Sequence, residues 1–97
     1  MISHVVCFKM KPFALGKQKK DNLIILKEKV ENLKKIIPLV KALNFEFTES
    51  GEYEAVAVML FDSHTDLEAY EENPDHIKVK NFISEVCIKM EVVNSEI

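Results

Sequence analysis

The first apolar pattern along the chain has a period of two. In Ile2 to Lys9, ISHVVCFK, the side chains of Ile2, His4, Val6 and Phe8 share one face and β-branched residues are frequent, which predicts a strand. Pro12 and Gly16 bracket a predicted loop. The period then changes: Leu23, Leu26, Val30, Leu33 and Ile37 recur at intervals of three and four among lysines and acids, which predicts one long amphipathic helix. Pro38 ends it, because the residue before a proline is pushed out of the helical region, and Lys34 and Lys35 suit its negative end. Val40 to Glu49 places Leu43, Phe45 and Phe47 on one face of a second strand. A turn over SGE at 50–52 leads into a third strand, Tyr53 to Phe61, completing a hairpin. Ser63 with Asp66 three positions on has the form of a helix N-cap and opens a short helix carrying Leu67 and Tyr70. Asn73 then caps a further helix with Pro74 in its first turn and Ile77, Phe82, Ile83 and Val86 as its apolar positions. A last strand is predicted from Cys87 to Val93.

Strand, helix, strand, strand, helix, strand is the split βαβ order, so the predicted class is α+β with a ferredoxin-like βαββαβ fold, a four-stranded antiparallel sheet and a single domain over residues 1–97. Helices cover one face of such a sheet. The third strand is nevertheless apolar on both sides, with Ala55, Ala57 and Met59 on one and Val56, Val58 and Leu60 on the other. An antiparallel sheet with one solvated face should present polar residues there, so a second copy of the chain is expected to cover Val56, Val58 and Leu60.

Composition narrows the function classes. Of 97 residues, 47% are hydrophobic and 30% charged, a globular balance, and the net charge is −3. All thirteen bases are lysine; without arginine, the usual bidentate reader of phosphate and guanine, and with an acidic balance, nucleic acid is not expected as a partner. The lysines of KQKK and LKKI read as a solvated helix face. No apolar run approaches the roughly 18 residues needed to span a bilayer, and MISHVVCFKMK has no early positive charge or small-residue cleavage site, so a cytoplasmic protein without a membrane partner is expected. Cys7 and Cys87 have no metal or redox spacing; they are expected as reduced thiols that approach each other on the dimer side of adjacent first and last strands.

The densest candidate chemistry lies in AYEENPDHIKV, residues 69–79, where Tyr70 and His76 are separated by a helix break. In the first turn of a helix, where the helix end disfavours the imidazolium, His76 would be a neutral base. A tyrosine hydroxyl, protonated at neutral pH, would donate to a carbonyl or enolate oxygen. The small Ala55 and Ala57 would leave room for a ligand. The same residues also fit a core in which both rings pack and their polar tips meet backbone groups. His4, alone on an apolar strand, reads as a hydrogen-bonded core residue or an orienter, and His64 as exposed.

Four stretches, ISHVVCFKMKP, KKIIPLVKAL, YEAVAVMLFDS and DLEAYEENPDHIKV, together resemble the stress-responsive dimeric α/β-barrel (Dabb) family over nearly the whole chain. The resemblance implies two ferredoxin-like subunits packed sheet to sheet as a dimeric α/β barrel. It also implies a pocket between sheet and helices, which a plant polyketide cyclase of this kind uses without metal or organic cofactor. The cyclase's tyrosine and histidine fall on Tyr70 and His76, and a strand-one histidine falls on His4. Val6, Phe8, Leu26, Val30, Ala55, Ala57, Met59 and Leu67 are the remaining residues expected to line the pocket. The chain departs from the pattern at Asn73-Pro74, where the family often has His-Pro, at Ala55, where the cyclase has a histidine, and at Leu26 and Val30, where it has aromatic residues. A different substrate is implied. Three functions are therefore expected as alternatives: cofactor-independent catalysis on a small carbonyl compound, non-catalytic binding of a small ligand, or a structural stress-response role.

Overall fold

A computed structural model describes every residue except Ser50. The period-two segment forms β1 (Ile2–Met10), whose alternate side chains, including Met10, are buried. The predicted loop is instead a small hairpin of β2 (Phe13–Ala14) and β3 (Lys17–Gln18), with Leu15 and Gly16 at positive φ in its two-residue turn. Leu15 at the first turn position hid this hairpin, because leucine is disfavoured in the left-handed region. Then follow α1 (Lys19–Ile36), β4 (Ala42–Phe47), β5 (Ala55–Phe61), α2 (His64–Glu72), α3 (Pro74–Val86) and β6 (Cys87–Glu96). β4 and β5 are shorter than expected and β6 is longer; the turn predicted at 50–52 lies partly outside the described residues.

The main sheet has the order β4-β5-β1-β6, antiparallel throughout, which is the ferredoxin-like arrangement. All three helices pack on one face. α1 buries Leu26, Val30 and Leu33, and Ile37 immediately after it, along one stripe. Asn22 continues that stripe; its Nδ2 donates to the Ala14 carbonyl at 3.0 Å and ties the β2–β3 hairpin to α1. β5 alternates as expected, with Ala55, Ala57, Met59 and Phe61 buried under the helices. Val56, Val58 and Leu60 face the other way, beside Val5 and Cys7 of β1, and remain partly open.

Two expectations fail here. Cys7 and Cys87 are both free but lie on opposite faces. The β1–β6 register shifts between Lys9 and Met10, so Met10 pairs with Cys87 and skips Ile88. This bulge turns Cys87 into the core, with its Sγ 3.6 Å from Met10 Sδ, while Cys7 pairs with Glu91 on the open face. Ile77, expected as an inward position of α3, is 43% exposed, and Val79, Ile83 and Val86 carry that face. Val79 is four residues before Ile83 and seven before Val86, on one helical stripe, whereas Ile77, six before Ile83, falls off it.

One residue joins α2 and α3. Asn73 is the C-cap of α2, its N–H bonding the Tyr70 carbonyl at 3.1 Å, and the N-cap of α3, its Oδ1 accepting from the Asp75 N–H at 2.8 Å. Asn73→Ala is expected to cost about 1 kcal/mol of unfolding free energy in a denaturant titration, the usual worth of an N-cap side chain. An unchanged midpoint would deny the cap that role.

Candidate functional site

The break at Asn73 puts Tyr70 in the last turn of α2 and His76 in the first turn of α3. Their rings therefore meet although six residues separate them, with centroids 4.3 Å apart. Beside them lies a cavity of about 270 Å³ between the covered sheet face and the helices. β1 lines it with His4, Val6 and Phe8, β5 with Met59, β6 with Met90 and Val92, and α1 with Val30 and Leu33. α2 contributes Tyr70 and Glu71, and α3 contributes His76, Val79, Lys80 and Ile83. The walls are apolar, and the exposed Glu71 and Lys80 stand at the mouth.

Of the residues singled out from the sequence, Tyr70, His76, His4, Val6, Phe8, Val30 and Met59 reach this cavity. Leu26, Ala55, Ala57 and Leu67 do not; they are buried in the surrounding core. The alanines face the helices and lie opposite Phe8 and Val6 in the β1 register, with Phe45 and Phe47 across the β4 register, so aromatic neighbours fill the space they leave. Sequence reasoning missed Leu33, Glu71, Val79, Lys80, Ile83, Met90 and Val92. Val79, Lys80 and Ile83 lie one and two helical turns beyond His76, a spacing that marks them in retrospect. Met90 and Val92 needed the register of β6, which its bulge conceals.

Tyr70 is 1% exposed, and burial, with a smaller contribution from the Glu71 carboxylate, raises its phenol pKa above the usual value. The phenol is therefore a proton-bearing donor throughout the working range. Its hydroxyl has no hydrogen-bond partner among the described residues, nor is it sealed off like the hydroxyl of Tyr53. His76 Nδ1 lies 3.2 Å from the Glu71 carbonyl, one of the unpaired carbonyls at the end of α2. Because a carbonyl only accepts, Nδ1 carries the hydrogen and the neutral ring keeps Nε2 bare. Desolvation lowers the His76 pKa, outweighing the bond and charge of Glu71, which act in the opposite direction; His4 and Lys80 also lower it.

His4 is held in the same way. Its Nδ1 is 2.6 Å from Asn94 Oδ1, its cross-strand partner on β6, and its ring meets Tyr70 and Phe61 edge-on. A second imidazole therefore borders the cavity. Among the described residues no three His, Cys, Asp or Glu side chains gather as a metal site. His64 is exposed, with Nε2 3.5 Å from Glu96 Oε1.

The lowered pKa of His76 sets the sign of a stability effect. Near pH 6 the unfolded chain binds a proton at this position that the folded chain resists, so the contribution is present above the unfolded value of about 6.5 and is lost as pH falls through the folded value. Thermal melts from pH 7.5 down to 5 are expected to show this loss, and His76→Gln to flatten it. Parallel slopes in the two proteins would remove His76 as its source.

The model of the stress responsive A/B barrel domain family, Dabb, matches residues 2–97. The chain belongs to this family. No curated protein matches it in sequence. Among solved structures, a protein from Arabidopsis thaliana has a TM-score of 0.84 at 20% identity, covering 100% of this chain and 95% of that one. A dimeric ferredoxin-like protein of unknown function from Thermobifida fusca has a TM-score of 0.83 at 20% identity, covering 99% and 90%. A hydroxynitrile lyase from Passiflora edulis has a TM-score of 0.83 at 18% identity, covering 99% and 92%. At these identities the likeness is one of fold. The Dabb chain described here thus shares its architecture with an enzyme and with proteins of unknown function.

Proposed function

We propose that this Dabb protein is a homodimer, each subunit of which uses its apolar cavity for cofactor-independent proton transfer on a small carbonyl compound, of the cyclase or isomerase type. The observation that carries the reading is the pairing of an unpartnered Tyr70 hydroxyl with a neutral His76, bare at Nε2, on the wall of one cavity. His76 Nε2 takes a proton from the carbon next to the carbonyl, and Tyr70 donates a hydrogen bond to the oxygen as it becomes an enolate. Return of the proton from His76 to a different carbon completes an isomerisation; attack of the enolate carbon on a second carbonyl, whose oxygen becomes an alkoxide and takes the proton from His76, completes a cyclisation. His4 borders the same space and orients the bound molecule.

The dimer reading rests on the apolar, uncovered sheet face of Val5, Val56, Val58 and Leu60, and on fold neighbours described as dimeric. The non-catalytic alternative also has an observation in its favour: His76 is tied to Glu71 and in ring contact with Tyr70, as a packing residue would be.

A thermal-shift panel of small aryl and alkyl ketones, aldehydes and their enol analogues separates these readings. Ligand binding to the cavity is expected to raise the melting midpoint of the native protein and not of a Val30→Phe variant, in which the larger ring fills the cavity. No shift across the panel would favour the structural reading.

A further inference from the structure

The β2–β3 hairpin belongs neither to the cavity nor to the uncovered sheet face, and its chemistry is unlike the rest of the chain. Residues 11–20, KPFALGKQKK, hold four lysines and no acid, in a chain whose net charge is −3. The hairpin base is anchored: the Lys11 N–H bonds the Val86 carbonyl at 2.8 Å, the Lys19 N–H bonds the Pro12 carbonyl at 3.0 Å, and Asn22 holds Ala14. Ala14 turns inward against the core, which sends its neighbours outward, leaving Phe13 64% and Leu15 54% exposed. Leu15 sits at φ 52°, in the left-handed region that disfavours an L-residue with a side chain and suits asparagine or glycine. A large apolar side chain at the apex of a tight turn is thus held in solvent at a conformational cost. Lys19 pairs with Glu54 at 3.5 Å, but among the described residues no carboxylate pairs with Lys11, Lys17 or Lys20.

We propose that this hairpin tip, Phe13 and Leu15 with Lys11, Lys17 and Lys20 in the same ten-residue segment, docks the protein peripherally on an anionic lipid surface. The shape selects the occupant. A short hairpin exposing two apolar side chains, Leu15 in its turn and Phe13 in β2, is convex and small, far below the surface a specific protein–protein contact buries, whereas a bilayer interface accepts a convex apolar wedge without a matching groove. The excess of lysine over acid in residues 11–20 matches the charge of phosphatidylserine-type headgroups. Among the described residues no helix is long and apolar enough to cross a membrane. The absence of a membrane partner expected from the sequence rested on apolar run length, which bears only on spanning.

The chain contains no tryptophan, so Phe13→Trp provides a single reporter at the tip. With vesicles of phosphatidylcholine containing about a third phosphatidylserine, its emission is expected to shift to the blue; pure phosphatidylcholine should give little shift, and added salt should reverse it. Leu15→Asn in the Phe13→Trp protein retains a residue suited to the turn and should keep the melting midpoint while weakening vesicle partitioning on the order of tenfold. Lys17→Glu with Lys20→Glu should abolish it. Cosedimentation of the unmodified protein guards against an effect of the reporter itself. Failure of that protein to sediment with phosphatidylserine vesicles would overturn the proposal, as would equal binding to neutral vesicles. Salt-sensitive binding to polyglutamate without binding to vesicles would also overturn it, reassigning the tip to an acidic protein.

Discussion

Val58→Asp is expected to sediment as a folded monomer at micromolar concentration, under conditions where the unsubstituted protein is a dimer. Val58 lies in the middle of β5, on the face the helices leave uncovered, paired with Val5 of β1 and Asn44 of β4. In a symmetric dimer each substitution occurs twice, so two carboxylates without partners would be removed from water, at several kcal/mol each. The dimer dissociation constant should rise by about a thousandfold or more. The separate subunit loses little, because in it this face is already open to solvent and the helix-side core is untouched. Glu28→Gln, a one-unit charge change like Val58→Asp but on the exposed side of α1, serves as a control and should leave the dimer intact. Should Val58→Asp remain a dimer, the contact between subunits is not this sheet face.

Tyr70→Phe is expected to slow proton abstraction by about 10² to 10³-fold, the usual loss for one oxyanion donor, and to leave the melting midpoint nearly unchanged. The small stability effect follows from a hydroxyl without a protein partner, since its removal strands no buried group. His76→Ala removes the base and should cost about 10² to 10⁴-fold. It should also lower stability, because the Glu71 carbonyl loses its donor and Tyr70 its ring neighbour. Deuterium uptake at the carbon next to the carbonyl of small methyl ketones in D₂O, followed by NMR, measures the step without knowledge of the natural substrate. The rate should rise with pH through the His76 value, which lies below 6.5, and stay level until Tyr70 begins to ionise, above its usual 10. Uptake unaffected by either substitution would place the chemistry elsewhere, and no uptake in the native protein would leave the cavity as a binding site only.

The sequence alone determined the elements with long, regular patterns. The period-two run of β1 and the three-and-four spacing of Leu26, Val30, Leu33 and Ile37 each admit one structure, and the two-sided apolar character of β5 marks a face that the chain cannot cover by itself. The meeting of Tyr70 and His76 was legible because it is local: Asn73-Pro74 both ends α2 and caps α3, and a break of that kind folds two neighbouring turns together. Tertiary structure decided whatever depends on register and on the space between elements. A single bulge opposite Lys9 and Met10 reversed the side of the sheet that Cys87 faces, because strand side chains alternate and one extra residue inverts them. For the same reason Met90, Val92 and Asn94 join the site only once β6 is paired with β1. Ala55 and Ala57 were expected to leave a cavity, but packing against larger neighbours closes the space around them, and the opening lies closer to α3 and to β6, whose bulge hides its inward positions. The β2–β3 hairpin, too, depends on three-dimensional anchoring: Leu15 tolerates its left-handed turn because Asn22 and the backbone bonds of Lys11 and Lys19 hold both ends in place.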